Sequence, residues 1–130
     1  MTYFEDLTPY RYWPNSTETA VNIGWLGSGE PFPTGDVPAE VVPALLRLVA
    51  KGPVNLTRGF HKCEFCAEPP YPVLMHLGEQ EIALGNGEVR VTGENGTVYA
   101  APTLLPHYIQ AHRYQPPEPF TNAVLAISPA

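Results

Sequence analysis

Residues 59–66 read Gly-Phe-His-Lys-Cys-Glu-Phe-Cys, and they contain both cysteines of the 130-residue chain. Cys63 and Cys66 have the C-x-x-C spacing, in which a tight turn can direct two thiolates toward one zinc ion. Two sulfurs do not complete a tetrahedral zinc site, so the remaining ligands must come from elsewhere. The sequence offers four histidines for this purpose, at positions 61, 76, 107 and 112.

Two of the histidines stand in positions that favour ligation. His61 lies two residues before Cys63, and in an extended backbone residues i and i+2 point the same way. His107 lies about one turn into a helix that we predict for residues 102–114. The predicted ligand set is therefore His61, Cys63, Cys66 and His107, holding one Zn²⁺ per chain.

His112 is the alternative to His61 as the fourth ligand. With His107 it forms an H-x4-H spacing, which some zinc sites use. On a straight helix, however, five residues turn through about 500°, so the two rings diverge by roughly 140°. A site with three protein ligands and a water molecule, the catalytic form of zinc, is also open at this stage.

Two other interpretations of the cysteines compete with zinc. Reduced, buried cysteines can be neighbours without sharing an ion. A redox C-x-x-C motif needs a strand before it and a helix that begins at it. Pro69 and Pro70 follow Cys66 too closely for such a helix, and His61 adds to the thiolates, so we favour zinc.

The overall composition bounds the class of protein. The net charge is −6, and no apolar run reaches the roughly 18–20 residues of a membrane helix. Residues 1–6 are acidic and aromatic, unlike a secretory signal, so we expect a cytoplasmic protein with reduced thiols. Only seven lysines and arginines are present, which argues against duplex nucleic acid. We expect an unidentified protein or small-molecule partner and no membrane.

Turn sequences predict a small antiparallel sheet. Residues 73–77 form a short apolar strand that contains His76. The pairs Asn86-Gly87 and Asn95-Gly96 are typical of two-residue hairpin turns, and they predict a three-stranded meander between about residues 80 and 100. In the register that these turns impose, Val91 faces Ala100.

The remaining patterns complete a single α+β domain over residues 1–130. Helices are predicted over 38–51, 102–114 and 119–127, packed against one face of the sheet. An aromatic N-terminal arm, which includes Tyr12 and Trp13, is expected to lie over this domain. The order of a cysteine turn, a hairpin and a histidine-bearing helix resembles a treble-clef zinc region.

Several motifs are spread along the whole chain: YFEDLTPY at 3–10, RGFHKCEFC at 58–66, and YAAP at 99–102 followed by His107-Tyr108. In these motifs the chain resembles a family of small uncharacterised bacterial proteins. The resemblance implies a free-standing bacterial protein built around the cysteine–histidine set. It implies no activity.

These observations favour a zinc-stabilised binding or interaction module, in which metal binding is coupled to folding and offsets the thin core of a proline-rich chain. The second hypothesis is a small zinc-dependent hydrolase with an open metal position and Glu64 or Glu88 as its base. The third is a thiol-based redox or metal-sensing protein. The sequence predicts no catalytic residue beyond these candidates.

Overall fold

The computed structural model describes residues 3–11, 19–68 and 71–127. Tyr12 and Trp13 of the predicted aromatic arm therefore lie outside the described residues. Sheets and separate helices occur together, which confirms the predicted α+β class. In chain order the elements are β1 (Val21–Asn22), α1 (Val41–Lys51), β2 (Val73–Leu77), β3 (Gln80–Leu84), β4 (Glu88–Thr92), β5 (Val98–Pro102), α2 (Leu105–His112) and α3 (Glu118–Leu125).

The strands form two separate sheets, which corrects the predicted meander. β4 pairs with β5 in antiparallel fashion, and β1 joins β5 in parallel. β3 pairs with β2 and not with β4. The tight Asn-Gly turn of the prediction requires a positive φ at both residues, but over residues 85–87 only Gly85 has one, at 109°. The connection from β3 to β4 is therefore not a hairpin turn.

The β4–β5 hairpin is present, but its register differs by one residue from the prediction. Val91 faces Tyr99 and not Ala100. The connection is a loop of residues 93–97, closed by a 2.8 Å backbone hydrogen bond between its two ends. A slip of one residue exchanges the two faces of a strand. Tyr99 therefore joins the main core, whereas Ala100 packs beside Trp25 on the other face.

Helix α2 is shorter than predicted at both ends. Pro102 belongs to β5, so the helix begins only at Leu105. It ends at His112 because Arg113 adopts the left-handed conformation, with φ 57°, and its N–H donates to the Tyr108 carbonyl. The last histidine of the chain is therefore also the last residue of the helix.

A continuous apolar core fixes the position of α2. Leu105 and Tyr108 of α2 and Leu45 of α1 are each no more than 1% exposed. Cys63 belongs to the same core, at 1% exposure. The cysteine turn is thus packed against the molecule through a buried side chain and does not project as a free surface loop.

The N-terminal arm lies alongside β1 and is held there by backbone hydrogen bonds, as predicted for an arm laid over the domain. The Phe4 N–H donates to the Trp25 carbonyl at 3.0 Å, and the Tyr10 N–H donates to the Ala20 carbonyl at 2.9 Å. The Tyr10 side chain is buried and its ring packs 6.4 Å from that of Trp25. The described part of the arm is therefore integral to the fold.

A buried carboxylate, Glu88, joins the arm to the sheet. Its Oε1 accepts hydrogen bonds from the Tyr10 hydroxyl at 2.6 Å and from Asn55 Nδ2 at 3.1 Å, and Arg90 Nη2 lies 2.9 Å away. The Arg90 guanidinium also lies 4.8 Å from the centroid of the Tyr10 ring. Burial and the bond to Glu88 raise the pKa of Tyr10, so its hydroxyl stays a donor.

Candidate metal centre

The loop of residues 59–68 holds both cysteines and is anchored to the rest of the protein by hydrogen bonds. The His61 N–H donates to the Gly85 carbonyl, and Glu64 Oε1 accepts from the Ser28 N–H, each at 2.9 Å. Cys63 is buried, Cys66 is half-buried, and both are free thiols. The turn between them therefore has a defined position against the core.

Helix α2 brings two histidines to the same turn. His107 is its third residue and His112 its last. Their ring centroids are 5.2 Å apart. Both Nε2 atoms lie 3.4 Å from Cys66 Sγ, so the angular divergence expected for positions five apart on a helix does not keep the rings from a common point.

Four donor atoms converge at this point. The Sγ atoms of Cys63 and Cys66 and one ring nitrogen each of His107 and His112 all lie within 4.8 Å of one another. Cys63 Sγ is 3.3 Å from the His112 Nε2 atom. In a tetrahedral zinc site, a sulfur at about 2.3 Å and a nitrogen at about 2.05 Å from the ion are roughly 3.6 Å apart. The observed sulfur–nitrogen distances are close to this value.

The chemistry of these donors suits a borderline-soft divalent cation. Two thiolates and two imidazoles in tetrahedral arrangement are the ligands of structural zinc. A single thiol–imidazole hydrogen bond would explain one short contact, but it would not gather four donors. We therefore interpret the cluster of Cys63, Cys66, His107 and His112 as a candidate metal centre.

Burial sets the protonation of the cluster in the absence of a cation. It raises the pKa of the Cys63 thiol, and it lowers the pKa of His107, to which the neighbouring His112 also contributes. Without a cation, the Cys63 thiol and the His107 imidazole are therefore favoured in their neutral forms. A cation at the centre would displace the proton of Cys63, while the neutral ring of His107 already has the form that ligates metals.

An aromatic cluster supports the centre from the side. Phe65 lies between the two cysteines in sequence, and its ring packs 5.9 Å from that of Tyr108 and 5.6 Å from that of His112. Phe32 also packs against Phe65, with ring centroids 5.3 Å apart. These aromatic contacts add to the packing of the cysteine turn against the rest of the protein.

The structure brings together three residues of the predicted ligand set, Cys63, Cys66 and His107. His61 is not in the cluster. The fourth position, which the sequence analysis assigned to His61, is occupied by His112. Residues 58–62 form no strand, so the rule that placed His61 beside Cys63 does not apply. The backbone N–H of His61 is instead bonded to Gly85. The H-x4-H spacing was the signal that pointed to His112.

The fourth histidine and the two candidate bases lie in other surroundings. His76 is exposed on β2, and its Nε2 lies 3.4 Å from Glu81 Oε2. Glu64 accepts a hydrogen bond from the Ser28 N–H, and Glu88 contacts Tyr10, Asn55 and Arg90. Among the described residues, the cysteine–histidine cluster is thus the arrangement that suggests metal chemistry.

A family model matches residues 2–125, nearly the whole chain. The chain belongs to the DUF7919 family. That family is described as a domain of unknown function, so membership brings no activity, and the site has to be interpreted from its own geometry. No curated protein and no solved structure matches the chain.

A membrane-spanning helix was not expected from the sequence. Over residues 3–11, 19–68 and 71–127, no helix has both the length and the apolar character needed to cross a bilayer.

Proposed function

We propose that this chain is a single-domain, zinc-stabilised binding module. The observation that carries the proposal is the convergence of Cys63 and Cys66 with His107 and His112, which come from segments more than 40 positions apart in the chain. Zinc held there would join the cysteine turn to α2. Four protein ligands fill a tetrahedral shell, as in structural zinc sites, whereas a catalytic site keeps one position for water or substrate. No observation favours the hydrolase.

A groove that is lined in part by α2, the helix of the two cluster histidines, supports the binding role. Its volume is about 690 Å³, and it lies between α1, β2 and α2. We call it the α1–α2 groove. The apolar part of its lining comes from Val42, Leu46, Met75, Leu77 and Ile109. The rest of the wall and rim includes Ala39, His76, Gln110 and the exposed pair of Asp36 and Arg113. The surface that the groove exposes is more polar than apolar, so its ligand would carry polar groups beside apolar ones.

The metal centre and the groove share helix α2. Ile109 and Gln110 of α2 line the groove, as does Arg113 directly after the helix, and His107 and His112 belong to the same helix. Zinc at the candidate centre would fix the last turn of α2 and with it one wall of the groove. The proposal therefore assigns the metal a structural role and assigns binding to the surface that the metal supports.

The ligand set is tested by zinc affinity in three histidine variants. We expect His112→Ala to weaken zinc binding at least about 100-fold, because loss of a ligand exceeds the 10- to 100-fold cost of losing an outer-shell partner. His61→Ala should change the affinity less than about threefold, and so should His76→Ala, the matched exposed control. Competition with a chromophoric chelator measures all three. Strong loss in His61→Ala with none in His112→Ala would overturn this ligand set.

The binding role is tested by filling the groove. Ala39 is exposed and lines the groove, and Ala126 is exposed beyond the end of α3. A screen of small fragments that carry both polar and apolar groups, followed by amide NMR, should shift signals of residues 74–77 and 109–110 in the zinc-loaded protein. Ala39→Trp should abolish these shifts, and the control Ala126→Trp should keep them. Shifts scattered over the surface, or unaffected by Ala39→Trp, would count against the groove.

A further inference from the structure

The two sulfurs of the candidate centre differ in their access to solvent. Cys63 is 1% exposed and belongs to the core, whereas Cys66 is only partly buried. Both lie on one turn, and their Sγ atoms are within 4.8 Å of each other. A small oxidant that approaches from solvent therefore has better access to Cys66, with a second sulfur within 4.8 Å of it.

We infer that Cys66 is a site of oxidation by hydroperoxides, and that a disulfide then formed with Cys63 releases the zinc. The inference rests on the proposed zinc centre and adds a means of regulating it. Accessible thiolates are the positions where cysteine oxidation begins, and a nearby second thiol resolves the product. The buried Cys63 is in place as that resolving thiol.

The chemistry balances in two steps. The Cys66 thiolate attacks one oxygen of a hydroperoxide, so that an S–O bond forms and the O–O bond breaks. The alkoxide that leaves takes a proton from solvent and becomes an alcohol, and Cys66 is now a sulfenic acid. The Cys63 thiolate then attacks this sulfur, the S–S bond forms, and hydroxide leaves and is protonated to water. Two electrons pass from the sulfurs to the peroxide.

Zinc would leave because the disulfide removes both anionic ligands at once. His107 and His112 would remain as two neutral imidazoles, half of a tetrahedral shell. The C-x-x-C spacing suits this closure, since the sulfurs share one turn and need only approach each other to a bond length of about 2.05 Å. The reaction therefore changes a four-ligand site into a two-ligand site.

Release of zinc should also loosen the cysteine turn. Phe65 lies between the two sulfurs in sequence and packs against Tyr108 and Phe32, so a change in the backbone of the turn disturbs those contacts. Lys62, an exposed residue directly before Cys63, then provides a cleavage site for trypsin. We expect tryptic cleavage at this position to be faster in the oxidised protein than in the zinc-loaded protein.

The experiment treats the zinc-loaded chain with tert-butyl hydroperoxide under anaerobic conditions. A chromophoric chelator records released zinc, a thiol reagent counts free cysteines, and fragment-ion mass spectrometry locates the products. We expect one zinc released and two thiols lost for each hydroperoxide consumed, with a disulfide between residues 63 and 66. Early quenching with dimedone should label Cys66 and not Cys63. Dithiothreitol with added zinc should restore the starting state.

The outcomes separate this inference from the proposed zinc module. Zinc content before treatment tests the module, and a chain without zinc overturns both. A chain that holds one zinc and keeps both thiols, at hydroperoxide levels that oxidise free glutathione, overturns the oxidation alone. Dimedone labelling that begins at Cys63, or loss of thiols without release of zinc, also overturns the oxidation inference. In Cys63→Ser, oxidation should stop at the sulfenic acid of Cys66. If that variant does not fold, the order of dimedone labelling in the unmodified chain decides which cysteine is oxidised first.

Discussion

Stripping zinc from the native protein is expected to lower its midpoint of thermal unfolding by roughly 10–20 °C. An ion that binds only the folded chain, present at about 1,000 times its Kd, stabilises that chain by about 4 kcal/mol. Cys63 and Cys66 meet His107 and His112 only in the fold, so the unfolded chain offers at most the two sulfurs of one turn. Circular dichroism in excess zinc and in excess chelator measures the difference.

Two histidine variants serve as controls for this result. In His112→Ala, one donor of the cluster is gone, so the midpoint should respond to zinc far less than in the unmodified chain. His76→Ala removes an exposed imidazole on β2 and should retain the full response. A midpoint that is the same with zinc and with chelator in the unmodified chain would contradict the zinc module.

Replacing Glu88 by glutamine is expected to destabilise the fold by about 3 kcal/mol. The carboxylate is 4% exposed and faces the Tyr10 hydroxyl, Asn55 Nδ2 and the Arg90 guanidinium. The amide oxygen of glutamine can still accept a hydrogen bond. It cannot balance the charge of Arg90 in this buried setting, and removing one partner of a buried ion pair is strongly destabilising. Urea unfolding at neutral pH measures the loss.

Glu81→Gln is the matched control for the Glu88 variant. Glu81 pairs with His76 on the surface, where both side chains are more than half exposed, so we expect a change within about 0.5 kcal/mol. Equal stability of Glu88→Gln and the unmodified chain would show that the carboxylate is not a structural support. Because Glu88 is not one of the four proposed ligands, the zinc affinity of the variant should be unchanged.

Local sequence patterns predicted where strands and helices occur better than they predicted which strands pair with each other. The strand over 73–77 was predicted with the bounds of β2, because its apolar run is bounded by turn residues. The meander failed because Asn86-Gly87 can adopt a hairpin turn but does not have the required φ angles here. β3 pairs instead with β2, to which the two-residue turn Gly78-Glu79 joins it, with φ 62° at Gly78. This turn was a local signal that the prediction did not use.

The metal cluster could be predicted in part for a similar reason. The C-x-x-C motif and the position of His107 are local signals, and both sulfurs and that ring do lie in the cluster. The choice between His61 and His112 depended on the path of residues 58–62 and on the end of α2 at Arg113. The surroundings of Glu88 were not predictable, because Tyr10 and Asn55 lie 78 and 33 positions away.

The parallel pairing of β1 with β5 has a consequence for synthesis on the ribosome. Val21 lies beside Tyr99 in the sheet, so β1 cannot pair with β5 until the ribosome has passed residue 99. The cysteine turn likewise emerges well before residues 107 and 112, and any zinc that it captures early is held by two sulfurs alone. Folding is therefore a late event, and a ribosome-stalled fragment that stops before α2 would remain immature.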